Sequence, residues 1–70
     1  MGKIDRFCLS APLEGNQLDE VCRRLRNLTG VFWVHYNAAD IVLAVEHTST
    51  INRKSILQEM VRLGIANDQP

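Results

Sequence analysis

Four apolar residues, Leu18, Val21, Leu25 and Leu28, recur at helical spacing, and after Gly30 the period changes abruptly from helical to alternating. That change most constrains what the chain can become. A stripe at this spacing gives a helix one buried face. The β-branched and aromatic run from Val31 to Glu46 that follows reads as paired strands. A helix feeding directly into a hairpin demands a two-layer fold, with the helix lying on the sheet.

The rest of the chain fits that frame. Residues 4–11 read as a first strand, with Phe7, Leu9 and Ala11 at alternate positions on one face. Pro12 ends it, and Glu14-Gly15-Asn16 is turn chemistry. Asn16 is the expected N-cap of the first helix, with Asp19 three residues on favouring the positive end of its dipole. Asp19–Arg23 and Glu20–Arg24 stand at i,i+4 in the favoured orientation, and Gly30 is placed as the C-terminal cap.

The hairpin breaks at Asn37-Ala38-Ala39-Asp40. With Ala38-Ala39 at the tip, Tyr36 faces Ile41, Val34 faces Leu43 and Phe32 faces Val45, all on the buried side. The tip has no glycine, so a turn looser than the two-residue primed type is also open. Ser49 or Thr50 caps a second helix, whose inward stripe is Ile56, Leu57, Met60 and Leu63 and which Gly64 closes. Residues 65–70 are short and polar for a last strand. The order is β-α-β-β-α(β), which predicts an α+β, ferredoxin-like sandwich with two helices on one face of an antiparallel sheet.

Composition excludes several functions. The chain has 70 residues, expected to form a single domain (1–70, core 4–65). It carries eight basic and eight acidic side chains, a balance that argues against a nucleic-acid or membrane-surface footprint. Two of Arg23, Arg24 and Arg26 have acidic partners on their own helix, so a solvated face explains them. The start, Met1 to Phe7, lacks the apolar run of a secretion signal, and two cysteines are too few for a disulfide scaffold. A cytoplasmic setting is expected. No nucleophile–base pair can be assembled, so no enzyme and no resident cofactor is expected.

The register Val21, Leu25, Leu28-Thr29-Gly30-Val31, Val34, with a second helix ending Leu63-Gly64-Ile65, resembles the heavy-metal-associated domain family. These are the modules of copper chaperones and of metal-pumping ATPases. The family's leucine-proline-glycine-valine stretch has threonine for proline here. Its function lies in a Met-x-Cys-x-x-Cys loop before the first helix. The resemblance places the two cysteines on Glu14 and Gln17 and the methionine on Pro12. Paired thiolates suit copper(I), whereas a carboxylate and an amide are hard oxygen donors. The family's ligands therefore transfer to no residue of this chain. What the resemblance implies is the fold, with a protein-interaction or regulatory role in place of chelation, in or beside metal transport.

The remaining chemistry gathers on the sheet face that the helices leave open. By parity that face carries Arg6, Cys8, Trp33, His35, Val42, Ala44 and Glu46, with Trp33 opposite Ala44. The binding surface expected here is Trp33 with Cys8, His35, Val42 and Ala44 around it. A partner contact, a homodimer or cover by a neighbouring segment would each satisfy it. A first strand left without a fourth strand beside it offers a second docking edge. The alternative is a metal site from Cys8, His35 and Glu14. Cys8 and His35 stand two strands apart, about 9–10 Å, so one ion cannot reach both in one molecule without distortion, which leaves a site shared across a sheet-to-sheet dimer. Cys22 packs as a small hydrophobe, and His47 is expected to be solvated.

Overall fold

Five elements follow one another in the computed structural model, which describes residues 2–65. They are strand β1 (Lys3–Cys8), helix α1 (Gly15–Arg26), strand β2 (Val31–Asn37), strand β3 (Val42–His47) and helix α2 (Arg53–Arg62). β3 lies in the middle, antiparallel to both neighbours. The core joins Phe7, Val34, Leu43 and Val45 of the sheet to Val21 and Leu25 of α1 and Ile56 and Met60 of α2. Both helices therefore cover the same face, the ferredoxin-like α+β arrangement expected from the periodicities. The short last strand suggested after Ile65 lies outside the described residues.

β1 is shorter than 4–11. Leu9 still reaches the core and donates its N–H to the Ile41 carbonyl at 2.9 Å, but Ala11 is exposed. The chain bends at Ser10 and Ala11 ahead of Pro12, which has no N–H for a ladder, so the alternation stops and Leu13 takes the next buried place. The N-cap of α1 falls two residues before the expected Asn16. Glu14 is the N-cap, and its carbonyl accepts the N–H groups of Gln17 and Leu18. Gly15, at φ +50°, makes that early turn possible.

The far end of α1 also differs, because Asn27 is the C-cap and Gly30 lies beyond it. Gly30 has φ +98°, and a Cβ there would meet Thr48 Oγ1 and Ile51 Cγ2 at 3.1 Å. Its role is to reverse the chain into β2 against the β3–α2 connection. On the helix surface Glu20 takes both Arg23 (2.9 Å) and Arg24 (3.3 Å). Asp19 forms no ion pair among the described residues, so the expected Asp19–Arg23 pair is replaced by an i,i+3 contact.

The hairpin loop has four residues, Ala38 to Ile41, and Asn37 pairs with Val42. Asn37 Oδ1 accepts the N–H groups of Ala39 and Asp40, and Ile41 alone takes a left-handed φ of 55°. A two-residue primed turn would need positive φ at one or both central positions, both alanine here. The longer loop moves each pair by two residues, so Tyr36 faces Leu43 and Val34 faces Val45. A shift of two preserves parity. What reverses it is a β-bulge between Val31 and Trp33. The extra residue puts Val31 in the core and turns Phe32, expected inside, out to 50% exposure.

α2 is capped by Asn52, not Ser49 or Thr50, with Asn52 Oδ1 accepting the Ser55 N–H at 2.9 Å. Thr48 Oγ1 instead holds the Thr50 N–H and shapes the turn before it. Ile56 and Met60 are fully buried, with Leu57 and Leu63 at the margin of the core. The helix ends in a Schellman motif. Gly64 at φ +77° donates to the Val61 carbonyl, and Ile65 donates to Met60 and is buried.

Candidate functional site: the open face of the sheet

Three rows cross the uncovered face. Ile4, Glu46 and Trp33 stand level, as do Arg6, Ala44 and His35, and then Cys8, Val42 and Asn37. Trp33 therefore faces Glu46, and His35 takes the place opposite Ala44 that had been expected for Trp33. The first two rows line a shallow depression of about 270 Å³. Cys8, exposed, and Val42, half-buried, lie beyond its end.

The apolar part of this face is larger than the sequence implied. Ile4 is 48% exposed and Trp33 51%, and the bulge leaves Phe32 50% exposed with its ring against Gly2. Val61 on α2 is the other large apolar side chain exposed among the described residues. Half-exposed side chains of this size leave roughly 100 Å² each, or about 300 Å² for the three. That reaches the range of the largest patch on an ordinary monomer, which is often functional. Arg26, at the end of α1, sets its guanidinium 5.7 Å from the centre of the Trp33 ring. This cation–π contact steadies the indole without covering it. The Phe32 ring lies so close over Gly2 that a Cβ there would stand 2.6 Å from Phe32 Cζ.

Pro12 and Glu14 lie on the loop before α1, and Gln17 in the first turn of the helix. Pro12, Glu14 and Gln17 all point to solvent. Between them Leu13 is buried, and its N–H donates to Tyr36 Oη at 3.0 Å, tying the loop to β2. Cys8 and His35 share the open face but stand on its two outer strands, two positions out of register, and Glu14 lies on the loop. Among the described residues no three His, Cys, Asp or Glu side chains converge as a metal would require. Cys22 sits on α1, away from Cys8. Burial pushes its thiol pKa up, and the Asp19 charge adds to this against the opposing Arg26.

His47 is the group that the sequence reading misplaced. It is 2% exposed, on the helix-covered face. Its Nδ1 stands 2.8 Å from the Thr48 carbonyl and its Nε2 2.7 Å from Asp5 Oδ2. The Thr48 carbonyl and the Asp5 carboxylate both accept, so the geometry favours the protonated ring, which donates from both nitrogens. Burial alone would lower its pKa. The bonds to Thr48 and Asp5, with the Asp5 charge, outweigh that and raise it. The signal was there in the parity: Asp5 shares the face of Phe7, and His47 that of Leu43 and Val45.

Arg53 completes this group. It donates to Asp5 Oδ1 (3.4 Å) and to the Arg6 carbonyl (3.1 Å), and its guanidinium lies 4.3 Å from the Phe7 ring centre. The strand expected to offer a bare edge thus carries a charged guard along its middle.

Sheet order, register and the shared helix face define a ferredoxin-like domain of the small α+β class. Among solved structures the chain is similar to the CsoZ metallochaperone, with a TM-score of 0.86 at 22% identity, covering 99% of this chain and 100% of that one. At that identity the likeness establishes the fold, and does so end to end. No family model matches the chain, and no curated protein matches it. No helix among the described residues is long and apolar enough to cross a membrane.

Proposed function

We propose that this chain is a non-enzymatic, heavy-metal-associated-like domain of metal-ion handling that works by docking to protein, with the open sheet face as its contact surface. The observation that carries the reading is the half-exposed pair Ile4 and Trp33, which line one depression with Arg6, His35, Ala44 and Glu46, with Phe32 exposed next to Trp33 in the chain. A metallochaperone of the same fold over its whole length supports the metal-handling half. The exposed oxygen and amide donors Glu14 and Gln17 support the absence of a thiol grip for copper(I). Cys8 and Val42 extend the surface at one end, and the cytoplasm suits a chain with two unpaired thiols.

Titration with copper(I) and with zinc under reducing conditions, against a competing chelator, tests this reading. Affinity no tighter than micromolar is expected. Tighter binding that disappears in Cys8→Ser would transfer the function to a metal site using Cys8, His35 and Glu14.

A further inference from the structure

The two charges on the rim are complementary to each other yet unused within the chain. Arg6 and Glu46 sit on adjacent strands, one row apart, and neither side chain forms an ion pair among the described residues. We infer that the partner of this face is a second copy of the same chain, docked sheet to sheet about a two-fold axis that brings Arg6 of each protomer onto the partner's Glu46. The inference rests on the docking reading above and names its partner.

The register shows that the match is geometrically available. Strands lie about 4.8 Å apart and rows about 6.6 Å apart, so Arg6 and Glu46 are diagonal neighbours on β1 and β3. An axis in the plane of contact, bisecting that diagonal, exchanges the two positions. It runs close to Ile4, Ala44 and His35, which then meet their own counterparts. Trp33 is carried across to lie between the Arg6 and Cys8 rows of the opposite β1. Strands of the two sheets cross near a right angle, one of the two packings that sheets adopt. A two-fold contact must be self-complementary, and one positive and one negative group beside an apolar centre meet that condition. About 300 Å² of apolar surface from each copy, about 600 Å² in all before the polar rim is counted, is smaller than a standard interface and suits a weak dimer. A micromolar dimer is the expected strength. The balance of one positive and one negative charge also disfavours a polyanion on this face.

Sedimentation velocity from low micromolar to millimolar loading, with chelator and reductant present, tests the inference. The parent chain should dimerise, with its single tryptophan shifting its emission to the blue as it does so. Arg6→Glu and Glu46→Arg should each weaken the dimer by about tenfold or more. The double exchange should recover affinity to within about threefold of the parent, since opposite charges again face each other. Circular dichroism at low concentration confirms that each variant is folded. A double variant no tighter than the single ones overturns the inference. So does a chain that stays monomeric throughout: an already blue-shifted Trp33 then means cover by the chain's own residues, and a solvent-exposed one a different partner. Metal is sequestered throughout, so this outcome is independent of the metal titration.

Discussion

His47 Nε2 and Asp5 Oδ2 lie 2.7 Å apart across the helix-covered face, joining β3 to β1 at a ring that is almost wholly buried. When protonated the ring donates from both nitrogens, and Arg53 grips the other carboxylate oxygen. The middle of β1 is thus fastened by a charged chain of three side chains.

Stability should fall as pH rises. The folded pKa of His47 is raised above its ordinary value, so its contribution is fully present below the unfolded pKa of about 6.5 and is lost as pH climbs through the folded value. Thermal melts at successive pH values between mildly acidic and mildly alkaline should show the midpoint dropping towards the alkaline end. His47→Gln should flatten that slope.

Asp5→Asn removes the anion that faces both His47 and Arg53. The loss should be about 2 kcal/mol at mildly acidic pH, the usual worth of a hydrogen bond to a charged group. Urea unfolding at that pH measures it. The loss should shrink at alkaline pH, where the ring of the parent has already given up its proton.

Tyr36→Phe deletes the acceptor of the Leu13 N–H and nothing else in the core. A cost of about 1 kcal/mol is expected. Faster hydrogen exchange at the Leu13 amide, with the central β3 amides unchanged, would show that the loop alone was freed.

Trp33→Ala should leave stability within about 0.5 kcal/mol, because the residue is 51% exposed and stands outside the core cluster. Far-ultraviolet circular dichroism and melting should match the parent while association weakens. Unfolding instead would mean that the indole is core and would remove the docking face from consideration.

Much of this fold was legible in the residues. The helix stripe of Val21 and Leu25 and the inward pair Ile56 and Met60 follow from period, because burial selects them directly, and the central place of β3 follows from the strand order of a ferredoxin-like fold. The errors fall where a single backbone event overrules the pattern. Gly15 starts α1 early, and Ile41 closes a four-residue loop where alanines could not make a shorter one. The bulge at Val31/Trp33 leaves no mark in composition, so Phe32 looked like core. The open face survived these shifts because the hairpin moved by an even number of residues, keeping Trp33, His35 and Ala44 outside. His47 was missed for another reason. A polar residue at an inward position reads as a strand end until its partner, forty-two residues away, is seen.

The bulge has a consequence for how such a surface can arise. Removing Phe32 would leave Val31, Trp33 and Val34 alternating in, out and in along an unbroken strand, with every interior neighbour where it is now. One added residue therefore doubles the aromatic display without asking the interior to repack. A sticky face of this kind can be gained or lost by a change in chain length alone.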